Sequence, residues 1–241
     1  MLNKNIEIAG QVLHLLLDEI GKMLKPGIDG NDINSFAEDC INNYSNGCTL
    51  ACKGYQGFPA SLCVSVNEEI VHGVPSNKIF KDGDIVKVDI VIEYNGWFAD
   101  SARTFLVGKG TKQSQQLIKT TKQCLYKAIK VARIGNTTGD IGYVIQQHAI
   151  RNGFSVMKEY TGHGIGQVIH KEPSIPCFGV QKAGYKLKEG DIICIEPMLF
   201  IGKPDIERGK DEWNVKSKDN SLTAHFEHTV LITKNSPLIL T

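Results

Sequence analysis

The chain has 241 residues, 41% of them hydrophobic and 22% charged, with a formal net charge of +1. This is the composition of an ordinary globular protein, with enough chain for one large domain or two small ones. The near-zero charge balance supplies no global positive field for phosphates, which argues against nucleic-acid binding as the main activity.

The first predicted element is an amphipathic helix over 6–24. Ile6, Ala9, Val12, Leu13, Leu16, Ile20 and Leu24 recur at helical spacing, and Pro26-Gly27 stops the run. Glu7, Asp18, Glu19 and Lys22 interrupt it, so it reads as neither a membrane span nor a secretory signal. PGIDGNDINSFAEDCI (26–41) carries a second helix signal. Seven cysteines follow along the chain: Cys40, Cys48, Cys52, Cys63, Cys124, Cys177 and Cys194. The number is odd and no C-x-x-C pair occurs, which fits a reduced, cytoplasmic protein. Cys48 and Cys52 have no second Cys/His pair to complete a zinc site, so packing or pocket lining is favoured for them.

The β-branched run in KDGDIVKVDI (81–90) predicts a strand ending on Asp89. Asn95-Gly96 predicts a hairpin turn between strands 85–92 and 97–107, which places Asp89 and Asp100 on paired strands. Lys109, Lys112, Lys119 and Lys122 read as a solvated helix face. IGNTTGDIGYVIQQHAI (134–150) is a further helix signal. EYTGHGIG (159–166) sets His163 between glycines on an expected loop, where close ligand approach is easy. KEGDIICIEP (188–197) predicts a strand ending on Glu196, 202–216 is loop-like, and AHFEHTVLI (224–232) carries Glu227. His14 and His148 fall on predicted helices, whereas His225 and His228 border a ligand-bearing strand.

Several of these segments repeat one another in order. The 26–41 helix aligns with 134–150, placing Asp32-Ile33 on Asp140-Ile141. IVHGVPS (70–76) aligns with VIHKEPS (168–174), placing His72 on His170. The two GDI strands place Asp89 on Glu196, and WFADSARTF (97–105) aligns with AHFEHTVLI, placing Asp100 on Glu227. A two-fold repeat of this kind implies a single domain, 1–241, made of two pseudo-symmetric halves of about 1–110 and 111–241. The alternation of strands and helices implies an α+β fold, antiparallel sheet inside and helices outside.

Carboxylates inside apolar strands are rarely buried unless paired or bound to metal. Four of them in repeat-related positions need a compensating dication better than four separate ion pairs. Asp89, Asp100, Glu196 and Glu227 with His163 make an oxygen-rich site suited to two divalent ions, with one imidazole favouring Mn, Fe, Co or Zn. His72 and His170, each followed three residues on by proline, would flank those ions and hydrogen-bond a substrate carbonyl or oxyanion.

At this point ACKGYQGFPASLCVSVNEEIVHGVP (51–75), VDIVIEYNGWFADSARTF (88–105), EYTGHGIG with His170, IEPM (195–198) and KDNSLTAHFEHTVLIT (218–233) carry a resemblance. In order, and over most of the chain, they resemble the short bacterial type I methionine aminopeptidases of peptidase family M24. The resemblance implies a duplicated pita-bread fold and removal of initiator methionine from nascent polypeptides when the second residue is small. It implies that Asp89, Asp100, His163, Glu196 and Glu227 hold two metal ions, with Asp100 and Glu227 bridging. Water activated by those ions would attack the first peptide carbonyl, and docking of the free α-amine at the site would confine cleavage to the first residue. Glu196 would relay the proton, His170 would stabilise the tetrahedral intermediate and His72 would bond the scissile amide.

The resemblance also implies a methionine pocket of Cys52, Tyr55, Phe58, Cys63 and Trp213, whose sulfur and aromatic faces suit a thioether. Ile169 stands where the family usually has an aromatic residue, and Phe58 where tyrosine is common. The implied partners are nascent N-termini, with transient ribosome contact compatible, no membrane and no specific nucleic acid; the family leans monomeric. Two alternatives remain open: a related hydrolase such as an Xaa-Pro aminopeptidase, whose extra N-terminal domain 241 residues would not hold, and a non-enzymatic binding module on the same fold.

Overall fold

The computed structural model describes residues 3–44 and 47–241. Two helix pairs cover a set of antiparallel sheets. The first pair is α1 (Lys4–Met23) and α2 (Gly30–Tyr44); the second is α3 (Lys112–Val131) and α4 (Thr138–Arg151). Helix α1 buries Ile6, Leu13, Leu17 and Ile20 on one stripe, as the spacing predicts, and stops ahead of Pro26.

The helices extend the repeat beyond what the sequence shows. Lys112 lies 108 residues after Lys4, and Val131 lies 108 after Met23, so α3 repeats α1 end for end with almost no shared residues. The shared Asp32 and Asp140 have the same local cause. The Asp29 and Asp32 carboxylates each accept the other's backbone N–H (3.0 and 2.9 Å). Thr137 and Asp140 form the equivalent capping box 108 residues on. Each box satisfies two otherwise orphaned donors of a helix start.

Strand β1 (Thr49–Leu50), β2 (Cys63–Val66), β4 (Ile85–Tyr94) and β5 (Trp97–Leu106) form one sheet, in which β4 pairs with the other three. The β4–β5 hairpin runs unbroken from Ile85↔Leu106 to Tyr94↔Trp97. Its turn puts Asn95 and Gly96 at φ 48° and 77°, the left-handed pair that such a tight turn needs. Strand β3 (Glu69–Val71) joins β11 (Ile206–Arg208) and β12 (Val215–Ser217). The 202–216 segment, expected as a loop, is therefore largely a hairpin; its alternation was hidden by charged residues on exposed edges.

The second half of the chain builds two further sheets. One contains β6 (Ser155–Val156), β10 (Met198–Phe200) and β13 (Thr223–His225). The other has the order β15-β14-β9-β7-β8, with β7 (Thr161–Gly164), β8 (Lys171–Pro176), β9 (Ile192–Ile195), β14 (His228–Leu231) and β15 (Leu238–Ile239). His163 thus sits on a strand, not on the expected loop. Its flanking glycines serve packing: a Cβ on Gly162 would meet the Cys194 carbonyl at 2.3 Å, and one on Gly164 the Glu172 carbonyl at 2.4 Å.

Two apolar cores lie beneath the helix pairs. One packs α1 and α2 on Val86, Val88 and Ile90; the other packs α3 and α4 on Ile193, Ile195, Leu199 and Phe200. Cys48 belongs to the first core and Cys52 to a separate pocket cluster, so the two do not act as a metal pair. Among the described residues no helix is long and apolar enough to cross a membrane.

Candidate metal centre

The four carboxylates and His163 converge on the floor of one cavity of about 400 Å³. Strands β4 and β5 deliver the first two. Asp89 is opposite Ala102 and Asp100 opposite Val91, so the two aspartates are diagonal neighbours on one face of the hairpin and their carboxyl groups interact. The register Ile195↔His228 and the register Met198↔His225 are one and the same, so β9–β10 and β13–β14 are two ends of a single ladder. That ladder is interrupted where Glu196 and Glu227 face each other. At the interruption the Glu227 N–H leaves its partner strand and donates to the Ala102 carbonyl of β5 (2.9 Å).

Further bonds clamp β5 to the second region. Thr229 Oγ1 accepts from the Asp100 N–H (2.9 Å) and donates to the Asp100 carbonyl (2.8 Å). Ser101 donates to the Glu227 carbonyl (2.6 Å), and Thr104 donates to the His225 carbonyl. The backbone on each side of the site is therefore fixed by the other.

His163 Nε2 lies 3.8 Å from Asp100 Oδ2 and 3.8 Å from Glu196 Oε1. These separations are too long for hydrogen bonds but are those of two ligands on one ion with metal–ligand distances of about 2.0–2.2 Å. The other ring nitrogen, Nδ1, is 3.0 Å from the Gly164 carbonyl, so Nδ1 carries the proton and Nε2 presents its lone pair. Burial has pushed Asp89 up to about 6 and Asp100, Glu196 and Glu227 well above the usual carboxylate range; the neighbouring carboxylates add to the rise in the last three. Burial and the nearby His170 lower His163 to about 4, which keeps it neutral.

The residues fit a divalent cation. Asp100 Oδ1 and Glu227 Oε1 are buried with no hydrogen-bond partner, an arrangement whose cost a cation removes. Asp100, His163, Glu227 and Cys194 place ligand atoms within 4.8 Å of one another. Of these, Cys194 is a poor ligand: burial raises its thiol well above the normal range, and its Sγ pairs with Thr229 Oγ1 at 3.6 Å. The sequence reading did not single out Cys194 or Thr229, because neither residue type marks a site by itself.

The walls carry the remaining candidates. His72 and His170 both line the cavity. His72 is held at φ 58° between β3 and Gly73, where a Cβ would strike the Val64 carbonyl at 2.3 Å. Its ring meets Tyr160 edge-on at 5.4 Å. His170 meets His163 edge-on (4.2 Å between ring centres), and its Nδ1 lies 2.8 Å from Tyr55 Oη. Cys52, Phe58, Cys63, Val91 and Ile169 form a separate buried cluster beside the carboxylates, with Tyr55 and Trp213 packed on it. Trp213, in the β11–β12 turn, meets the Phe58 ring edge-on at 5.3 Å. Ile169 thus fills part of the wall where the resemblance expects an aromatic side chain.

The family model described as metallopeptidase family M24 matches residues 4–234. The chain belongs to metallopeptidase family M24. Within this family it is 42% identical to the methionine aminopeptidase of Mycoplasma capricolum, over 99% of this chain and 94% of that protein. It superposes on the crystal structure of methionine aminopeptidase from Thermotoga maritima with a TM-score of 0.97 at 37% identity, over 100% of this chain and 98% of that one. Prolidase from Pyrococcus furiosus shares the fold alone, with a TM-score of 0.79 at 22% identity; the match covers 99% of this chain and 63% of that one. The M24 chain accordingly has the pita-bread architecture of these aminopeptidases and prolidases.

Proposed function

We propose that this M24 chain is a metal-dependent aminopeptidase that hydrolyses an N-terminal methionine from nascent polypeptides, preferring a small second residue. The observation that carries the reading is the junction of two unlike surfaces in one cavity. Its floor is four carboxylates, Asp100 and Glu227 buried and Asp89 and Glu196 partly so, with a neutral imidazole; its side is a sulfur- and aromatic-lined recess of Cys52, Cys63, Phe58, Tyr55 and Trp213. The recess has the chemistry of a methionine side chain, and the floor that of a hydrolytic centre.

Asp89, Asp100, His163, Glu196 and Glu227 would hold two divalent ions of the Mn, Fe, Co or Zn type. Bound there, the ions supply Lewis acidity and make water nucleophilic at neutral pH. Glu196 takes the proton from the attacking water and delivers it to the departing amine. His170, positioned by Tyr55, donates a hydrogen bond to the oxyanion of the tetrahedral intermediate, and His72, which also lines the cavity, bonds the scissile amide. The end-for-end offset of α1 and α3 supports a single domain of two halves, about 1–110 and 111–241. On this reading the chain works as a cytoplasmic monomer that meets its substrates as they leave the ribosome.

The test is release of methionine from Met-Ala-Ser by purified protein loaded with Mn²⁺, Fe²⁺ or Co²⁺, beside an Xaa-Pro peptide. Met-Ala-Ser should be cleaved and the Xaa-Pro peptide left intact, and Glu196→Ala should abolish release while the variant still folds. No release with any of these metals rejects the assignment.

A further inference from the structure

His225 is the one histidine near the site that the catalytic reading leaves without work. It lies on β13, two residues before Glu227 on the same face, and its side chain is only 1% exposed. Neither ring nitrogen has a hydrogen-bond partner. Its backbone is fixed on both polar atoms by Thr104 Oγ1, which accepts from the His225 N–H and donates to its carbonyl. The ring therefore stands where the strand puts it, with Nε2 3.7 Å from Glu196 Oε2 and 4.0 Å from Glu227 Oε2. A buried imidazole with two idle nitrogens is costly, and its retention needs a partner that forms in the working state.

The two oxygens of Glu196 have different neighbours. Oε1 faces His163 Nε2 at 3.8 Å, in the group that also includes Asp100. Oε2 faces His225. An ion held by His163 and Glu196 Oε1 leaves Oε2 free, and the imidazole of His225 is the group beside it. His163 is built as a ligand because the Gly164 carbonyl fixes its tautomer. His225 has no such anchor on Nδ1, and so lacks the support that an imidazole ligand ordinarily has.

We infer that His225 is a positioning residue: its Nε2–H donates to the non-ligating oxygen of Glu196 and fixes that carboxylate as metal ligand and proton acceptor. This rests on the metal-centre reading above. The bond closes when the 3.7 Å between Nε2 and Oε2 shortens to about 2.9 Å. His225 touches neither substrate nor ion in this role; it acts through Glu196.

The test compares wild type with His225→Ala and His225→Gln. A glutamine amide N–H reaches the same oxygen, whereas alanine leaves it bare. Titration of the metal-free proteins with Mn²⁺ should show the same number of bound ions in all three. Affinity should fall about 10- to 100-fold in His225→Ala, the usual cost of losing a hydrogen-bond partner behind a ligand, and return to within about threefold in His225→Gln. Hydrolysis of Met-Ala-Ser should show the loss in kcat with KM little changed. Nitrogen-15 NMR of the Zn²⁺-loaded wild type should find a proton on His225 Nε2. If His225→Ala does not fold, His225→Asn, too short to reach Glu196, replaces it.

Three results overturn the inference alone: unchanged affinity in His225→Ala, loss of a whole bound ion, or an unprotonated Nε2 in the loaded wild type. The second would make His225 a ligand, and the third would leave it without a proton to donate to Glu196. Failure of the wild type to bind Mn²⁺ overturns the metal-centre reading with it.

Discussion

The β4–β5 hairpin and the β9–β10/β13–β14 ladder each contribute two carboxylates to one site, but they hold them differently. The hairpin is continuous, and its aspartates are diagonal neighbours on an unbroken ladder. The second ladder opens at its glutamates, and the freed Glu227 N–H is taken by β5. A continuous ladder fixes a ligand through its own strand pair, whereas an opened one depends on the opposite region. The short aspartates lie on the rigid side, and the longer glutamates on the side where the strands part.

The largest expected effect comes from breaking the shared ligands on either side. Asp100→Asn and Glu227→Gln should each lower kcat/KM for Met-Ala-Ser by at least about 10³-fold, since each removes a charge that both ions need. A loss confined to one of the two would show that only one region supplies a bridge.

Metal removal should come next. Saturating Mn²⁺ at about 100 times its dissociation constant should stabilise the fold by about 2.7 kcal/mol, seen as a rise in Tm of several degrees over the metal-free protein. Without metal, the pH dependence follows from the raised carboxylates. Asp89 goes from 3.8 unfolded to about 6 folded, so the native state binds the extra proton in that window. Its favourable contribution is complete below about pH 4 and lost as pH rises through 6. Denaturant titrations of the metal-free wild type and Asp89→Asn should therefore converge at low pH and diverge above it, with the wild type the less stable.

A smaller effect tests the dependence of one region on the other. Thr229→Val removes both hydrogen bonds to the Asp100 backbone and should cost about 1–3 kcal/mol in unfolding free energy. It should also weaken Mn²⁺ binding, although Thr229 contacts no ion. The smallest effect concerns the repeated capping boxes. Asp29→Ala and Thr137→Ala should each destabilise by about 1 kcal/mol in urea melts, and leave KM for Met-Ala-Ser unchanged.

Much of this was legible in the sequence because the repeat preserved chemistry at particular positions. Asp89 and Glu196 stood out as charges in apolar runs, although Asp89 lies in the middle of β4 and only Glu196 follows the end of its strand; Asn95-Gly96 marked the hairpin that places Asp89 near Asp100. The repeat of α1 in α3 was not legible, since a helix that packs by an apolar stripe conserves spacing and not residues. His163 was misplaced on a loop because glycines usually signal turns; here they let β7 lie against neighbouring backbone. Thr229 carries no signal in the sequence, and His225 shows there only as a neighbour of a ligand strand, for a different reason. Each acts through hydrogen bonds between segments far apart in the chain, and no local pattern records such contacts.

The most direct test is anomalous diffraction at the manganese edge from crystals of the Mn²⁺-loaded chain. The account predicts two peaks about 3.5–4 Å apart, with Asp100 and Glu227 bridging them and His163 on one ion only. A single peak, or peaks away from these five side chains, would contradict it.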